Sequence, residues 1–86
     1  MFEFDEKKSV LNLEKHGIDF NQAQNIWDDE RFIEVPSKNI DEKRFLIIGK
    51  INKTCWTAII TYRRKNVRII SVRRSRKEEV NFYENF

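Results

Sequence analysis

The residues best suited to phosphate chemistry concentrate in one stretch, Thr61–Lys77 (TYRRKNVRIISVRRSRK), which contains no acidic residue. Its eight basic members are Arg63, Arg64, Lys65, Arg68, Arg73, Arg74, Arg76 and Lys77. Most are arginines, whose planar guanidinium group suits bidentate contacts with phosphate. Within the stretch, Val67–Val72 is rich in β-branched residues and predicts a largely buried strand. We interpret the stretch as a rigid platform for phosphates; the alternative is a core strand with ordinary solvated ends.

The strand period of two sorts these side chains onto two faces. One face is predicted to hold Val67, Ile69, Ser71 and Arg73, and the other Arg68, Ile70, Val72 and Arg74. We expect the face with Ser71 to be the open one, because Ser71 is the polar residue in the middle of the strand. A short hairpin would bring Arg63 near this strand, and Arg44 and Lys53 could join from an adjacent strand and turn.

Clustered arginines on a sheet could stabilise the charge that develops during phosphodiester cleavage. Metal-free cleavage of RNA uses the 2′-hydroxyl as nucleophile and needs a weak base and cationic groups at the phosphate. Glu79 and Tyr83, one turn apart on a predicted helix, are candidates for acid–base or base-stacking roles. In the alternative, Tyr83 packs in the core and Glu79 pairs with a nearby arginine. The basic residues predicted to bind RNA are Lys53, Arg64, Lys65, Arg68, Arg74 and Arg76.

Several other classes of site find no support in the sequence. Cys55 and His16 are the single cysteine and histidine, so neither an internal disulfide nor a zinc site of Cys and His is available. No Ser-His-Asp order or glycine-rich phosphate loop is present, and no set of acids accompanies the basic stretch. We therefore expect no metal and no cofactor. Without a long apolar span we expect a soluble cytoplasmic protein with no membrane partner.

Length and charge indicate one small domain, residues 1–86, with two electrostatic halves. The net charge is +3, yet residues 1–42 carry five basic and eleven acidic side chains, whereas residues 43–86 carry twelve and three. This asymmetry indicates an anionic partner on one side and allows a basic partner on the other.

Local signals predict where the elements begin and end. Asp5 is a candidate N-cap for a first helix that carries Val10, Leu11 and Leu13 on its apolar side and ends at Gly17. Asp19 with Gln22 resembles a capping box and opens a second helix that runs through about Asp28. The run Asp28–Glu30 is read as a solvated turn that could also contact a basic partner. Phe2 lies in a short alternating segment that is either a strand or an anchored tail.

The second half reads as strands joined by short turns. Strands are predicted over Arg31–Pro36, Lys43–Ile51, Thr54–Arg63 and Asn66–Arg73, with a polar loop over Ser37–Glu42. Gly49 suggests a bulge or a close backbone approach. Ser75 with Glu78 resembles a capping box for a last helix. The fold class is therefore α+β: two N-terminal helices, a four-stranded antiparallel meander and a C-terminal helix.

Short motifs along nearly the whole chain occur in one order. They are Phe4-Asp5, Lys15-His16-Gly17, Ile18-x-Phe20, Asp28-Asp29, Arg44 before a strand with Gly49, and Arg68-Ile69-Ile70-Ser71-x-Arg73 followed by Glu79 and Tyr83. In this order and at these spacings the chain resembles the BrnT family, toxins of bacterial type II toxin–antitoxin systems. It departs mildly from the family pattern at Val72 and Ser75, where alanine is the more usual residue.

The resemblance implies a RelE-like fold and an endoribonuclease that cleaves RNA without a metal and inhibits translation. It also implies a BrnA-type antitoxin, encoded beside the toxin, which neutralises it and takes the complex to operator DNA. The residues carried over as catalytic are Arg44, Arg63, Ser71, Arg73, Glu79 and Tyr83. The competing hypotheses are a non-catalytic RNA- or DNA-binding module, an inactive toxin remnant, and a protein whose basic surface serves mainly to dock an acidic antitoxin segment.

Overall fold

The α+β class is confirmed by the computed structural model, which describes residues 1–38 and 43–86. In chain order the elements are β1 (Phe2–Glu3), α1 (Glu6–His16), α2 (Phe20–Ala23), a 3₁₀ helix (Gln24–Asp28), β2 (Ile33–Pro36), β3 (Phe45–Ile51), β4 (Thr54–Arg63), β5 (Asn66–Arg74) and α3 (Lys77–Glu84). The predicted loop over Ser37–Glu42 lies outside the described residues from position 39 to position 42. No described helix is long and apolar enough to cross a membrane.

The predicted caps of the N-terminal helices are confirmed. The Asp5 carboxylate accepts hydrogen bonds from the backbone N–H groups of Lys7 and Lys8 at 2.8 and 3.3 Å, which satisfies two donors of the first turn. Gly17 ends α1 with φ of 77°, a left-handed conformation that glycine adopts without strain. Asp19 and Gln22 exchange both bonds of the capping box.

The second helix differs from the prediction, because its α-helical part is only Phe20–Ala23 and the rest is a 3₁₀ helix. This tighter helix holds Ile26 directly against Gly49 of β3. A Cβ atom at Gly49 would lie 3.0 Å from Cγ2 of Ile26 and 3.0 Å from Cβ of Phe32. Gly49 thus marks a close approach, as its position in a strand suggested, and the register of β3 is regular there.

The sheet has five strands in the order β1-β5-β4-β3-β2. Strands β2 to β5 form the predicted antiparallel meander, but β1 pairs parallel with β5, Phe2 opposite Val67 and Glu3 opposite Arg68. The prediction of four antiparallel strands is therefore wrong at one edge, and the sheet is mixed. The strand alternative for the alternating residues Met1–Phe4 is confirmed by β1, but its parallel pairing was not predicted, because the partner of β1 is distant in the chain.

A bulge in β5 changes which side chains share a face. Ile59 of β4 lies opposite Ser71 and Ile60 lies opposite Ile69, so Ile70 has no partner. The extra residue places Ile69 and Val72 on the same buried face. The predicted grouping is therefore wrong for both faces. Val67 and Ile69 do not share a face with Ser71 and Arg73, and Arg68 does not share a face with Val72 and Arg74.

The main core lies between one sheet face and the N-terminal helices. It comprises Ile18, Phe20, Ala23, Ile26, Ile47, Ala58, Ile60, Ile69 and Val72. On the opposite face α3 covers one end of the sheet, where Ile48 and Thr57 are fully buried. The sheet thus has one fully covered face and one face that α3 covers only in part.

Helix α1 packs through polar side chains and exposes apolar ones. Ser9 and Asn12 are 4% and 7% exposed, whereas Val10, Leu11 and Leu13 are 56%, 61% and 44% exposed. The expectation that these three apolar residues form the packing side is wrong.

The reason lies in backbone groups that need partners. Nδ2 of Asn12 donates to the carbonyl oxygens of Ile18 and Val72 at 2.8 and 2.9 Å, and Oδ1 accepts from the N–H of Val72 at 3.2 Å. Oγ of Ser9 accepts from the N–H of Phe20 at 2.9 Å. These bonds dock α1 against the bulged strand and the start of α2.

Candidate nucleic-acid interface

The sheet face turned away from α1 and α2 carries the candidate arginines. Arg73 lies opposite Thr57 and Arg68 lies opposite Thr61, and Arg63 is on the same side of β4 as these threonines. We call this surface of β4 and β5 the arginine face. Ser71, opposite Ile59, lies on it between Arg68 and Arg73 and is half-buried.

At the end under α3, Arg73 and Glu79 form a bidentate ion pair. Nη1 and Nη2 of Arg73 donate to Oε1 and Oε2 of Glu79 at 2.7 and 2.8 Å. Oε1 also accepts from the hydroxyl of Thr57 at 3.0 Å and from the N–H of Arg76 at 2.8 Å. This last bond caps α3 one residue later than the predicted Ser75–Glu78 box, so that prediction is wrong by one position.

These contacts fix the charge of Glu79. Burial favours its protonated form, but the hydrogen bonds from Arg73, Arg76 and Thr57 outweigh burial and lower the pKa of Glu79 from 4.5 to about 2. A carboxylate with so low a pKa is a weak base. The alternative in which Glu79 pairs with an arginine is confirmed, and the geometry favours anchoring of Arg73 over proton transfer.

Tyr83 contacts Asp29, which the sequence indicated as part of a motif and a turn but not as a candidate site residue. Its hydroxyl donates to Oδ2 of Asp29 at 2.5 Å, and Nζ of Lys50 lies 5.7 Å from its ring centroid. Burial and then this hydrogen bond raise the pKa of Tyr83 to about 12. Asp29 also accepts from the N–H groups of Lys50 and Arg31 at 2.8 and 2.9 Å.

The run Asp28–Glu30 is therefore more than a solvated turn, since Asp29 joins the 3₁₀ helix, β3 and α3. A signal was available for the local part: an Asp that bonds the backbone two residues on is a common turn motif, here Asp29 with Arg31. No sequence signal connects Asp29 with Tyr83, because that contact depends on how α3 crosses the sheet.

The other end of the arginine face is formed by Arg63 and the turn that follows it. Arg63 and Arg64 are exposed and border a hollow with Glu3 and Asn66. Nη1 of Arg68 donates to Oε2 of Glu3 at 3.0 Å, and Asn66 donates to Oε1 at the same distance. Among the residues that the structure describes, Glu3 is thus paired with Arg68 and Glu79 with Arg73, and Glu78 also acts on Arg73 through its charge.

The predicted catalytic residues do not converge on one point. Arg73 lies opposite Thr57, and Arg63 is six positions after Thr57 in β4. At the rise of a β-strand, six positions span about 20 Å. Arg44 is half-buried just before β3, level with Thr61, so it lies toward the Arg63 end. Arg73, Glu79 and Tyr83 lie toward the α3 end.

The predicted RNA-binding residues are also dispersed. Arg64 and Lys65 form the β4–β5 turn, whereas Lys53 lies in the β3–β4 turn at the opposite end of the sheet. Arg74 lies over Trp56 at 5.9 Å, on the face that the N-terminal helices cover. Arg76 precedes α3 and is exposed.

Charge and shape of the arginine face suit an extended polyanion. The strands hold its cations along about 20 Å, a distance that exceeds the reach of one small anion. Within the ranges that the structure describes, no group of three or more His, Cys, Asp or Glu side chains could hold a metal ion.

A comparison with protein families adds an independent observation. Residues 4–79 match the family described as "Ribonuclease toxin, BrnT, of type II toxin-antitoxin system". The chain belongs to the BrnT family. No curated protein matches the chain.

The segment that matches the BrnT family includes most of the candidate site residues but not all of them. It spans the arginine face and reaches Glu79, so the ion pair of Arg73 and Glu79 lies wholly inside it. Tyr83 follows the matched segment. As a BrnT protein the chain is a member of a ribonuclease-toxin family, and a type II toxin implies an antitoxin partner.

Proposed function

We propose that this chain is an endoribonuclease toxin that cleaves RNA without a metal and so inhibits translation. In this proposal a BrnA-type antitoxin neutralises it and brings the complex to operator DNA, and the fold is RelE-like. The observation that carries the proposal is the arginine face: Arg63, Arg68 and Arg73 stand on two paired strands, and Arg63 is exposed beside Arg64 at one end. Because Glu3 and Glu79 compensate Arg68 and Arg73, an RNA phosphate would first meet the exposed charges of Arg63 and Arg64.

The proposed chemistry uses the substrate's own nucleophile. A 2′-hydroxyl attacks the adjacent phosphorus and gives its proton to water, and negative charge develops on the phosphoryl oxygens. The bond from phosphorus to the 5′-oxygen breaks, and that oxygen takes a proton from water, which leaves a 2′,3′-cyclic phosphate. We assign Arg44 and Arg63 to binding of the RNA backbone, and Ser71 and Arg73 to the scissile phosphate. Glu79 holds the Arg73 guanidinium in place through its two hydrogen bonds. With a pKa of about 12, Tyr83 stays protonated at neutral pH, which suits hydrogen-bond donation or stacking better than proton abstraction.

A second candidate function is a non-catalytic RNA-binding module on the same face. The observation that favours it is the low pKa of Glu79, because this carboxylate is then a poor general base beside Arg73. The two candidate functions differ in what happens to the RNA: the enzyme produces shorter RNA fragments, whereas the binding module leaves the RNA intact.

The test is induction of the chain in bacteria, with growth and total RNA followed, together with cleavage of RNA by the purified chain in EDTA. Arg73→Ala is a poor probe, since it leaves Glu79 buried without its counter-charge. Arg63→Ala is better, because Arg63 is exposed. We expect about 10- to 100-fold slower cleavage from the loss of one charge-assisted phosphate contact.

Lys7→Ala is the matched control, since it removes one exposed cation from α1, away from the arginine face. It should cleave at the wild-type rate, and both variants should keep the wild-type melting temperature. Intact RNA that is bound by the soluble wild-type chain would establish the binding module instead.

A further inference from the structure

A second basic surface lies on the other side of the molecule, between α1 and the outer edge of β5. Here Lys8, Leu11 and Lys15 of α1 face Ile70 and Ser71 across a hollow of about 180 Å³. We call it the α1 hollow. Small-molecule sites generally measure about 300–1,000 Å³, so its size suits a single inserted side chain rather than a separate ligand.

The rim of the α1 hollow combines cations with apolar surface. Lys8, Leu11 and Lys15 follow one side of the helix at intervals of three and four residues. The two ammonium groups stem from positions about 10 Å apart along the axis, with Leu11 between them. Leu11 is 61% exposed, and His16 also borders the hollow, whereas no Asp or Glu does.

This pattern is complementary to an amphipathic helix that carries acids on either side of an apolar residue. The two lysines are seven positions apart, so two carboxylates two turns apart on the partner would face them. An apolar side chain between these carboxylates would enter the hollow against Leu11 and Ile70. RNA fits less well, because phosphates would pair with the lysines but leave the apolar floor without a partner.

We propose that the α1 hollow docks an acidic amphipathic helix of the antitoxin. The inference rests on the proposed function, which supplies the partner. It adds the docking surface and the chemistry of the segment that binds there. The α1 hollow is on the helix side of the sheet, and the arginine face is on the other side. Different substitutions should therefore affect antitoxin docking and RNA cleavage.

Ser71 connects the two surfaces. It borders the α1 hollow, and its register opposite Ile59 places it on the arginine face. An antitoxin seated in the hollow thus reaches the outer edge of β5 beside Arg73. From this position it obstructs RNA without having to occupy the whole arginine face.

The test is calorimetric titration of the purified full chain with the protein encoded by the adjacent reading frame. Leu11→Glu should weaken binding about tenfold or more, because it places a carboxylate in the docking hollow. Val10→Glu is the matched control: Val10 is the neighbouring residue and is 56% exposed, but it lies outside the hollow. It should change the Kd by less than about twofold, which is within the usual scatter for surface changes.

Charge reversal provides the second comparison. The double variant Lys8→Glu/Lys15→Glu should also weaken antitoxin binding at least about tenfold, whereas Lys7→Glu, on the same helix but outside the hollow, should not. The inference is overturned if Leu11→Glu binds as tightly as Val10→Glu, or if the double variant loses affinity for RNA and not for the antitoxin. RNA cleavage is assayed separately: a wild-type chain that binds the neighbour but never cuts RNA overturns the proposed function and leaves the docking result standing.

Discussion

Glu79 illustrates how far residue types specify a site. Its spacing from Tyr83 allowed an acid–base role, but spacing along a helix carries no information about the strand beneath it. In the structure, Glu79 lies over Thr57 and accepts two hydrogen bonds from the guanidinium group of Arg73. The basic residues could be predicted as a group from the sequence, whereas the partner of each could not, because the pairing depends on the bulge in β5 and on the path of α3.

The Arg73–Glu79 pair has a measurable signature in acid. Glu79→Gln should lower the free energy of unfolding at pH 7 by about 2–3 kcal/mol, because a largely buried arginine loses its charge partner. Folding lowers the pKa of Glu79, so its stabilisation is complete above pH 4.5 and is lost as the pH falls toward 2. Urea denaturation between pH 7 and pH 2 should therefore show a shallower pH dependence in the variant.

The control is Glu78→Gln, an exposed neighbour in the same helical turn, which should change the free energy of unfolding by less than about 0.5 kcal/mol. Equal stabilities of the Glu79 and Glu78 variants at pH 7 would contradict an anchoring role for Glu79.

The two tyrosines offer a spectroscopic check of the same kind. Burial and a carboxylate partner, Glu34 for Tyr62 and Asp29 for Tyr83, raise the pKa of each to about 12. Absorbance titration of the folded chain should show little tyrosinate at pH 10.5, and unfolded chain should titrate near the ordinary value of about 10. Tyr62→Phe isolates Tyr83; a midpoint near pH 10 in this folded variant would argue against the Asp29 contact.

Among the elements, those with local signals were the ones that could be predicted. Asp5, Gly17 and Asp19 mark helix ends through bonds that span a few residues, so the sequence contains what is needed. The packing of α1 could not be predicted, because Asn12 forms hydrogen bonds with the backbone of Val72, sixty positions further along the chain. The usual rule that apolar residues face inward fails here, since the backbone of the bulged strand requires hydrogen-bond partners more than α1 requires apolar burial.

In helix α1, substitution of a polar residue should therefore destabilise the protein more than substitution of an apolar one. Asn12→Ala removes partners from the backbone of Val72 and Ile18, and we expect a loss of about 2–4 kcal/mol of unfolding free energy. Val10→Ala, in the exposed apolar side, should cost less than about 0.5 kcal/mol. Thermal and urea unfolding would measure both. A larger loss for Val10→Ala than for Asn12→Ala would mean that α1 packs through its apolar side after all.

At the scale of the whole molecule, charge was more predictable than topology. Counting acids and bases was enough to find the basic second half, and four of the five strands and the fold class followed from periodicity. The parallel pairing of β1 did not follow, since β1 offers two residues and finds its partner in the distant β5. Phe2 and Glu3 therefore cover the start of the outer edge of β5, and Glu3 enters the arginine face as the partner of Arg68.

Electrostatic binding by the basic half should depend steeply on salt. Each cation removed from the RNA path should reduce the slope of log affinity against log salt by about 0.7 for single-stranded RNA. Arg64→Ala, in the β4–β5 turn, should show this reduction. Arg31→Ala removes the same charge from the acidic half and should leave the slope unchanged; filter binding at several salt concentrations compares them. Identical slopes for wild type and Arg64→Ala would remove this turn from the RNA path.

Because Ile70 has no partner in the sheet, β5 contains one residue more than its pairing with β4 requires. Deleting Ile70 would restore simple alternation and still leave Val72 inward and Arg73 outward. Deleting Ile59 of β4, which is paired with Ser71, would instead move the side chains at one end of that strand to the opposite face. We therefore expect β5 to accept the loss of this one residue, so that a gene that lacks the codon for Ile70 would still encode a folded protein.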